Sequence, residues 1–295
     1  ATAYGSAVYI IDIADGGKVL RKIDVEDKLN NSVVNSVVAS LVPVTADTTS
    51  TATYQGALVY FADFESKLWK LNLTNKGNLY SLQKIFDGEA TIANQRRVFH
   101  DVSLSLDDNS KLWAFFGTGD RYNIAAENSL IKNRLFAIQD TNYPNFKSGV
   151  SLIKSANCKD VTNAGASCPD ASHDGWFVNL DANEKISGSA AINDRVVYFP
   201  RYTPNKLNPC NPGKAVLSAH GYTCGNTLKK IDLGAGMATT PIIYKGIIYI
   251  GISGAPGSSL DPGWTAVDNL IIGNTISGTG GSSNSFSIKS WRQLF

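Results

Sequence analysis

The chain has one methionine and three histidines in 295 residues, and no apolar run reaches the roughly 20 residues that a membrane-spanning helix requires. His100, His173 and His220 have no ligand spacing to one another, so they read as loop residues and not as a metal site. Excess charge is also missing. Lys and Arg number 27 against 25 Asp and Glu, a formal net charge of +2, which gives no global field to draw in nucleic acid or an anionic membrane. Ala1 to Ile13 lack the basic region and cleavage site of a signal peptide and run straight into a strand-like stretch, so the start is expected to be a processed or truncated end of a longer precursor.

The glycine-rich stretches carry no phosphate loop. Gly117-Thr118-Gly119-Asp120 and Gly278 to Gly281 lack both the Lys-Ser/Thr pair and the strand-to-helix setting, and read as turns. Gly251-Ile252-Ser253-Gly254-Ala255 lacks the second-position glycine of a nucleophile elbow and follows a β pattern with no helix behind it, so Ser253 is not expected to be a nucleophile.

What the chain does have is 12 Tyr, 12 Phe, 5 Trp and 26 Gly, with 43% hydrophobic residues: an all-β composition with enough apolar mass for a large core. Four cysteines fall in two local pairs. Cys158 and Cys168 flank one turn-rich loop, Cys210 and Cys224 another, with no C-x-x-C. The reading is two disulfides, Cys158–Cys168 and Cys210–Cys224, formed in an oxidising compartment, each worth about 2–3 kcal/mol through the unfolded state.

Strand–turn–strand units recur along the chain. Tyr4 to Ile13 and Lys18 to Val25 are joined through Asp15-Gly16-Gly17, which supplies the positive φ angles of a two-residue hairpin turn. Val33 to Val44 is β-branched enough for a strand, and Thr45 to Thr53 reads as a loop. Leu58 to Ala62 and Lys67 to Leu73 follow, the second alternating Leu68, Lys70 and Asn72 against Trp69, Leu71 and Leu73. Ser66-Lys67-Leu68-Trp69 returns as Ser110-Lys111-Leu112-Trp113, 44 residues on, close to the length of one propeller blade. Trp176 to Leu180 and Val196 to Phe199 read as two strands of one blade fragment ended by Pro200. A last strand is expected near Phe286 to Phe295. Trp69, Trp113 and Trp176 are expected to pack between blades, whereas Trp264 in a turn and the terminal Trp291-Arg292 pair are candidate recognition residues.

Taken in order, Leu58 to Leu73, Phe115 to Asn123, Asn133 to Asp140, Gly175 through Val196–Phe199 to Asn208-Pro209-Cys210, and Ser290 to Phe295 resemble the C-terminal propeller region of the PilC/PilY type IV pilus biogenesis factors and tip-associated adhesins. The resemblance covers most of the chain. It implies a modified quinoprotein-like β-propeller with long disulfide-stapled loops, spanning 1–295 as one domain from which an N-terminal domain and first blades are absent. It also implies a non-enzymatic interaction platform of pilus assembly and adhesion. Such a protein reaches the pilus tip or outer surface through the periplasm and meets minor pilins and a host or abiotic surface. Many relatives carry an Asp-rich calcium loop; the equivalent stretch before Leu58 offers only Asp47, too few carboxylates for a hard cation. No cofactor is expected. The blade cadence is shared with quinone-dependent dehydrogenases, but a vicinal cysteine pair and an acidic calcium cluster are both missing. A periplasmic assembly scaffold unrelated to pili is the remaining reading.

Overall fold

The computed structural model describes residues 6–25, 36–45, 56–124, 130–205 and 212–278. Cys210, the loop at 46–55 with Asp47, and the expected strand at 286–295 with Trp291 and Arg292 lie outside them. The described residues form strands and turns, with a single 3₁₀ turn at Ser155–Asn157 and no helix long and apolar enough to cross a membrane.

The strands form five sheets in chain order. The first is the hairpin Ala7–Asp12 with Lys18–Asp24. Its connection is longer than a two-residue turn: the Asp12 carboxylate accepts the Ala14 and Asp15 amides, and Gly16 and Gly17 take the positive φ positions. The second runs Val42–Thr45, Gly56–Ala62, Lys67–Thr74, Leu82–Asp87; the third Ser103–Leu106, Leu112–Gly117, Arg134–Asp140, Gly175–Asn179. In the fourth, the interrupted pair Lys185–Ile186 and Ala191–Asn193 lies beside Val196–Thr203, followed by Lys214–Gly221 and Thr227–Ala235. The fifth is Ile242–Tyr244, Ile247–Gly251, Leu270–Asn274, Trp264–Val267. The connection after Asp140 straddles two blades: Ile153–Lys154 adds a parallel edge to the second sheet and Lys159–Asp160 one to the third.

The sheets stack face to face, as propeller blades do. Val8 and Val25 meet Val59, Phe61 and Trp69 between the first and second sheets. Tyr60, Leu68 and Phe86 meet Leu112, Phe116 and Phe136 between the second and third. Trp113, Phe115 and Trp176 meet Ile192, Val197 and Phe199 between the third and fourth. Tyr198, Leu217 and Ile231 meet Ile243, Ile250 and Ile271 between the fourth and fifth.

Two expectations are corrected here. Gly175–Asn179 and Val196–Thr203 do not pair with each other; the chain between them crosses from the third sheet to the fourth. Pro200 also does not end its strand, which continues to Thr203. It sits opposite the gap at 187–190, where the partner strand is interrupted and no ladder donor is needed.

The repeated Ser-Lys-Leu-Trp is a turn device whose first residue lies three positions earlier. Asp63 accepts the Glu65 and Lys67 amides at 2.9 and 3.0 Å and the Trp69 indole N–H at 2.8 Å. Asp107 does the same for Asn109, Lys111 and Trp113 at 2.9, 2.9 and 3.0 Å. Ser66 and Ser110 take the same left-handed φ, 58° and 59°. The 44-residue spacing is not a blade period, because the two hairpins are one strand out of step: the first joins the second and third strands of its sheet, the other the first and second. Burial pushes the Asp63 carboxyl up to about 7 against the pull of the Trp69 and Lys67 donors. Asp63→Ala strands those donors in the core and should cost about 3 kcal/mol, whereas Asp107→Ala, where solvent reaches the turn, should cost about 1 kcal/mol; urea midpoints of the two variants check the order.

Candidate functional site

The longest connection of the third sheet and one hairpin of the fourth meet at the same end of the strands, and a core tryptophan anchors them. Trp176, on Gly175–Asn179, is fully buried. Its indole N–H donates to the Tyr222 carbonyl at 3.0 Å and its ring stacks on His220 at 6.1 Å. The turn after His220 closes over that ring. Gly225 has φ +76° and lies so near the indole that a Cβ there would be 2.5 Å from a ring carbon, so glycine is required twice over. The backbone of 222–226 is thereby seated on the core, and Cys224 projects beside it.

Cys224 is bonded to Cys168, 56 residues away, with 4.5 Å between their Cα atoms. This differs from the expected local pairing. Cys158 is a buried free thiol, pushed up to about 12 by burial and the nearby Asp174. The observed bond links neighbouring blades, tying the connection of the third sheet to the hairpin of the fourth. Within that connection Asp170 accepts the Ser172 hydroxyl and amide and pairs with His173 at 2.8 Å, which together hold its carboxyl below the usual range.

Two clefts flank the disulfide. The larger, about 750 Å³, is lined by Val161, Thr162, Asn163, Gly165, Thr227 and Lys230. The smaller, about 150 Å³, lies among Asp107, Asp108, Arg195, Tyr222 and Asn226. Asp107 is committed to its turn, and Asp108 pairs with Arg195 at 3.0 Å across the two sheets. Amides, hydroxyls and a paired charge suit hydrogen-bonded recognition more than proton transfer.

The other sequence candidates are dispersed. Trp264 is 7% exposed and packs on Gly273 in the core between the fourth and fifth sheets, so it offers no exposed ring. Ser253 accepts the Met237 amide at 2.9 Å and braces a loop. His173 is a loop residue, but His220 is a core strand residue, its Nδ1–H aimed at the Gly225 carbonyl at 3.0 Å. Gly117 to Asp120 closes a strand and brings Asp120 to Arg97. Among the described residues no group of three or more His, Cys, Asp or Glu is placed to hold a metal ion. The packing of 220–226 over Trp176 is a contact between blades, for which the local sequence carries no pattern.

No protein-family model matches the chain, and neither does any curated protein. Solved structures do. The C-terminal domain of PilY1 from Pseudomonas aeruginosa superposes with a TM-score of 0.56 at 16% identity, over 87% of this chain and 66% of that one. An endo-arabinase from Bacteroides thetaiotaomicron gives 0.31 at 10% identity, over 89% and 83%. BamB from Moraxella catarrhalis gives 0.24 at 10% identity, over 87% and 88%. The chain therefore has an all-β, propeller-type fold of the kind seen in the PilY1 C-terminal domain, and it spans 66% of that domain's chain.

Two outcomes follow for this end of the blades. Cys168→Ser with Cys224→Ser opens a loop of 56 residues and should cost about 4 kcal/mol, read as a lower urea midpoint and as new protease cleavage within 141–174. Burial also lowers the His220 pKa from 6.5 to about 4, with the Gly225 carbonyl pulling the other way. Between those values the unfolded chain binds a proton that the folded chain refuses, so stability falls as pH drops from 6.5 towards 4, by about 3 kcal/mol in full. In His220→Phe that part of the pH dependence should vanish from denaturation curves.

Proposed function

We propose that this chain is a non-enzymatic interaction platform of type IV pilus assembly and adhesion, exported through the periplasm to the pilus tip or outer surface, where it meets minor pilins. The observation that carries the reading is the fold shared with the PilY1 C-terminal domain, joined to the ordered blade segments of the sequence. The disulfide between two connections of neighbouring blades supports an oxidising compartment. An interaction role is supported by the burial of Tyr60, Lys70, Cys158 and His220, whose pKa values enclosure shifts, while the exposed Asp170 is committed to Ser172 and His173 in its own loop. Tyr60, Lys70 and Asp140 form a buried cluster between the second and third sheets, with Tyr60 and Lys70 each 2.6 Å from the same Asp140 oxygen. Cys158 and His220 are likewise enclosed. The clefts at the strand ends are lined by groups for recognition.

Affinity-tagged protein purified from a piliated host should bring minor pilins with it, and deletion of the gene should reduce piliation, twitching and adherence. Unchanged piliation, twitching and adherence in the deletion strain would sink the proposal.

A further inference from the structure

At the end of the strands opposite the disulfide, the second and third sheets build an aromatic ridge. Phe64 comes from the Asp63 turn, Phe99 from the crossing between the sheets, and Tyr122 from the connection after Leu112–Gly117. Phe64 and Phe99 meet edge to face at 5.2 Å, and Phe99 and Tyr122 at 5.3 Å. The Arg97 guanidinium lies over Phe64 at 4.9 Å and donates to Asp120 at 2.9 Å. The free oxygen of Asp120 accepts the Tyr122 and Asn123 amides at 2.9 and 3.2 Å. Lys185, reaching from the fourth sheet, donates to the Asn123 and Ile124 carbonyls at 2.8 and 2.5 Å. Gly119 is bound to the Arg97 carbonyl at 2.8 Å.

All of these contacts fix the backbone around Tyr122, yet its side chain is 85% exposed. Beyond its edge contact with Phe99, holding a large ring in water gains the fold little, while a ring held in one place spares a ligand the cost of ordering it. The ridge also selects a class of ligand. Arg97 and Asp120 neutralise each other and the Lys185 ammonium is taken by carbonyls, so the charge that stands beside the ring is the exposed Arg121 guanidinium, a donor for ligand hydroxyls. Phe64 and Phe99 are spent as an edge-to-face base, which leaves one ring with an open face. A polyproline segment needs several parallel rings to form grooves; one open ring flanked by the exposed polar side chains of Arg121 and Asn123 fits a single flat ring with an apolar C–H face and a hydroxyl rim.

We propose that Tyr122, flanked by Arg121 and Asn123, is a binding site for the pyranose ring of a glycan. This deepens the platform reading by naming a ligand for one end of the blades, and it rests on that reading only in taking the chain for a binding module. The test is calorimetry and saturation-transfer NMR of the intact protein with cellohexaose, chitohexaose, mannohexaose and a polyproline peptide as probes. At least one oligosaccharide should bind, and Tyr122→Ala should weaken it by about tenfold or more with an unchanged melting temperature. Tyr122→Phe and Tyr122→Trp, which keep the ring face, should bind within about threefold of the parent. The site is overturned if no oligosaccharide binds at millimolar concentration, if Tyr122→Ala binds like the parent, or if polyproline binds through Tyr122 and the sugars do not. Minor pilins that still co-purify after such a failure leave the pilus reading standing, and sugar binding without pilin capture does the reverse.

Discussion

Everything in this molecule depends on one constraint: a sheet that is apolar on both faces must be covered on both faces. The inner strands of the second, third and fourth sheets are continuous apolar runs, Leu58 to Ala62, Leu112 to Phe116 and Val196 to Phe199, buried throughout. No half-buried arrangement satisfies such a run, and each of these sheets is accordingly held between two neighbours. The outermost sheets read differently. Val8 is buried and Tyr9 exposed; Ile243 is buried while Ile242 and Tyr244 are 67% and 60% exposed. Strands with one covered face alternate and these three inner runs do not, so for them position in the stack is written in periodicity.

The same constraint explains the charges inside. Lys70 and Asn72 alternate with Trp69 and Leu71 as though facing water, but a neighbouring sheet lies over them and they are buried. Lys70 is accommodated because its ammonium donates to Asp140, at the end of a strand in the next sheet, and to the Asn145 carbonyl, while the Tyr60 hydroxyl donates to the same Asp140 oxygen. Asn72 turns back on its own hairpin, accepting from Thr74 and donating to the Asn78 carbonyl. Glu184 and Arg201 pair in the same way, both buried, between the interrupted strand of the fourth sheet and its neighbour. Buried polar groups of this kind contribute little net stability but penalise any stacking that leaves one of them unpaired, so they fix which face of one sheet meets which face of the next.

Local features were therefore legible in the sequence and relations between blades were not. Strand positions follow from short-range pattern, as the runs at 58–62, 67–73, 112–117 and 134–139 show. The Ser-Lys-Leu-Trp repeat was visible, but its meaning depended on Asp63 and Asp107 and on which strands they join, and blade spacing is too uneven for the repeat to act as a ruler. The cysteines mislead for a related reason. Cys168 is near Cys158 in sequence and near Cys224 in space, because Gly175–Asn179 ends one blade while Lys214–Gly221 sits in the middle of the next. Trp264 looked like a turn aromatic, yet the strand opposite carries Gly273, whose missing side chain is the space the indole fills.

Both candidate surfaces lie at strand ends, and the two ends are held by different means. At the disulfide end the turn is locked by a covalent bond and by glycine pressed on Trp176; at the other, the Asp120 carboxylate and the Arg97 guanidinium hold the backbone above the Phe64–Phe99 pair. The first ties two blades through a long connection, for which a covalent link offsets the most chain entropy. The second fixes short connections already set by the blades beneath them, where a few hydrogen bonds are enough. A stack whose sheets are locked by burial on both faces tolerates such variety at its rims, because a change of loop leaves the apolar faces untouched. Recognition can then change at either end without disturbing the fold that presents it.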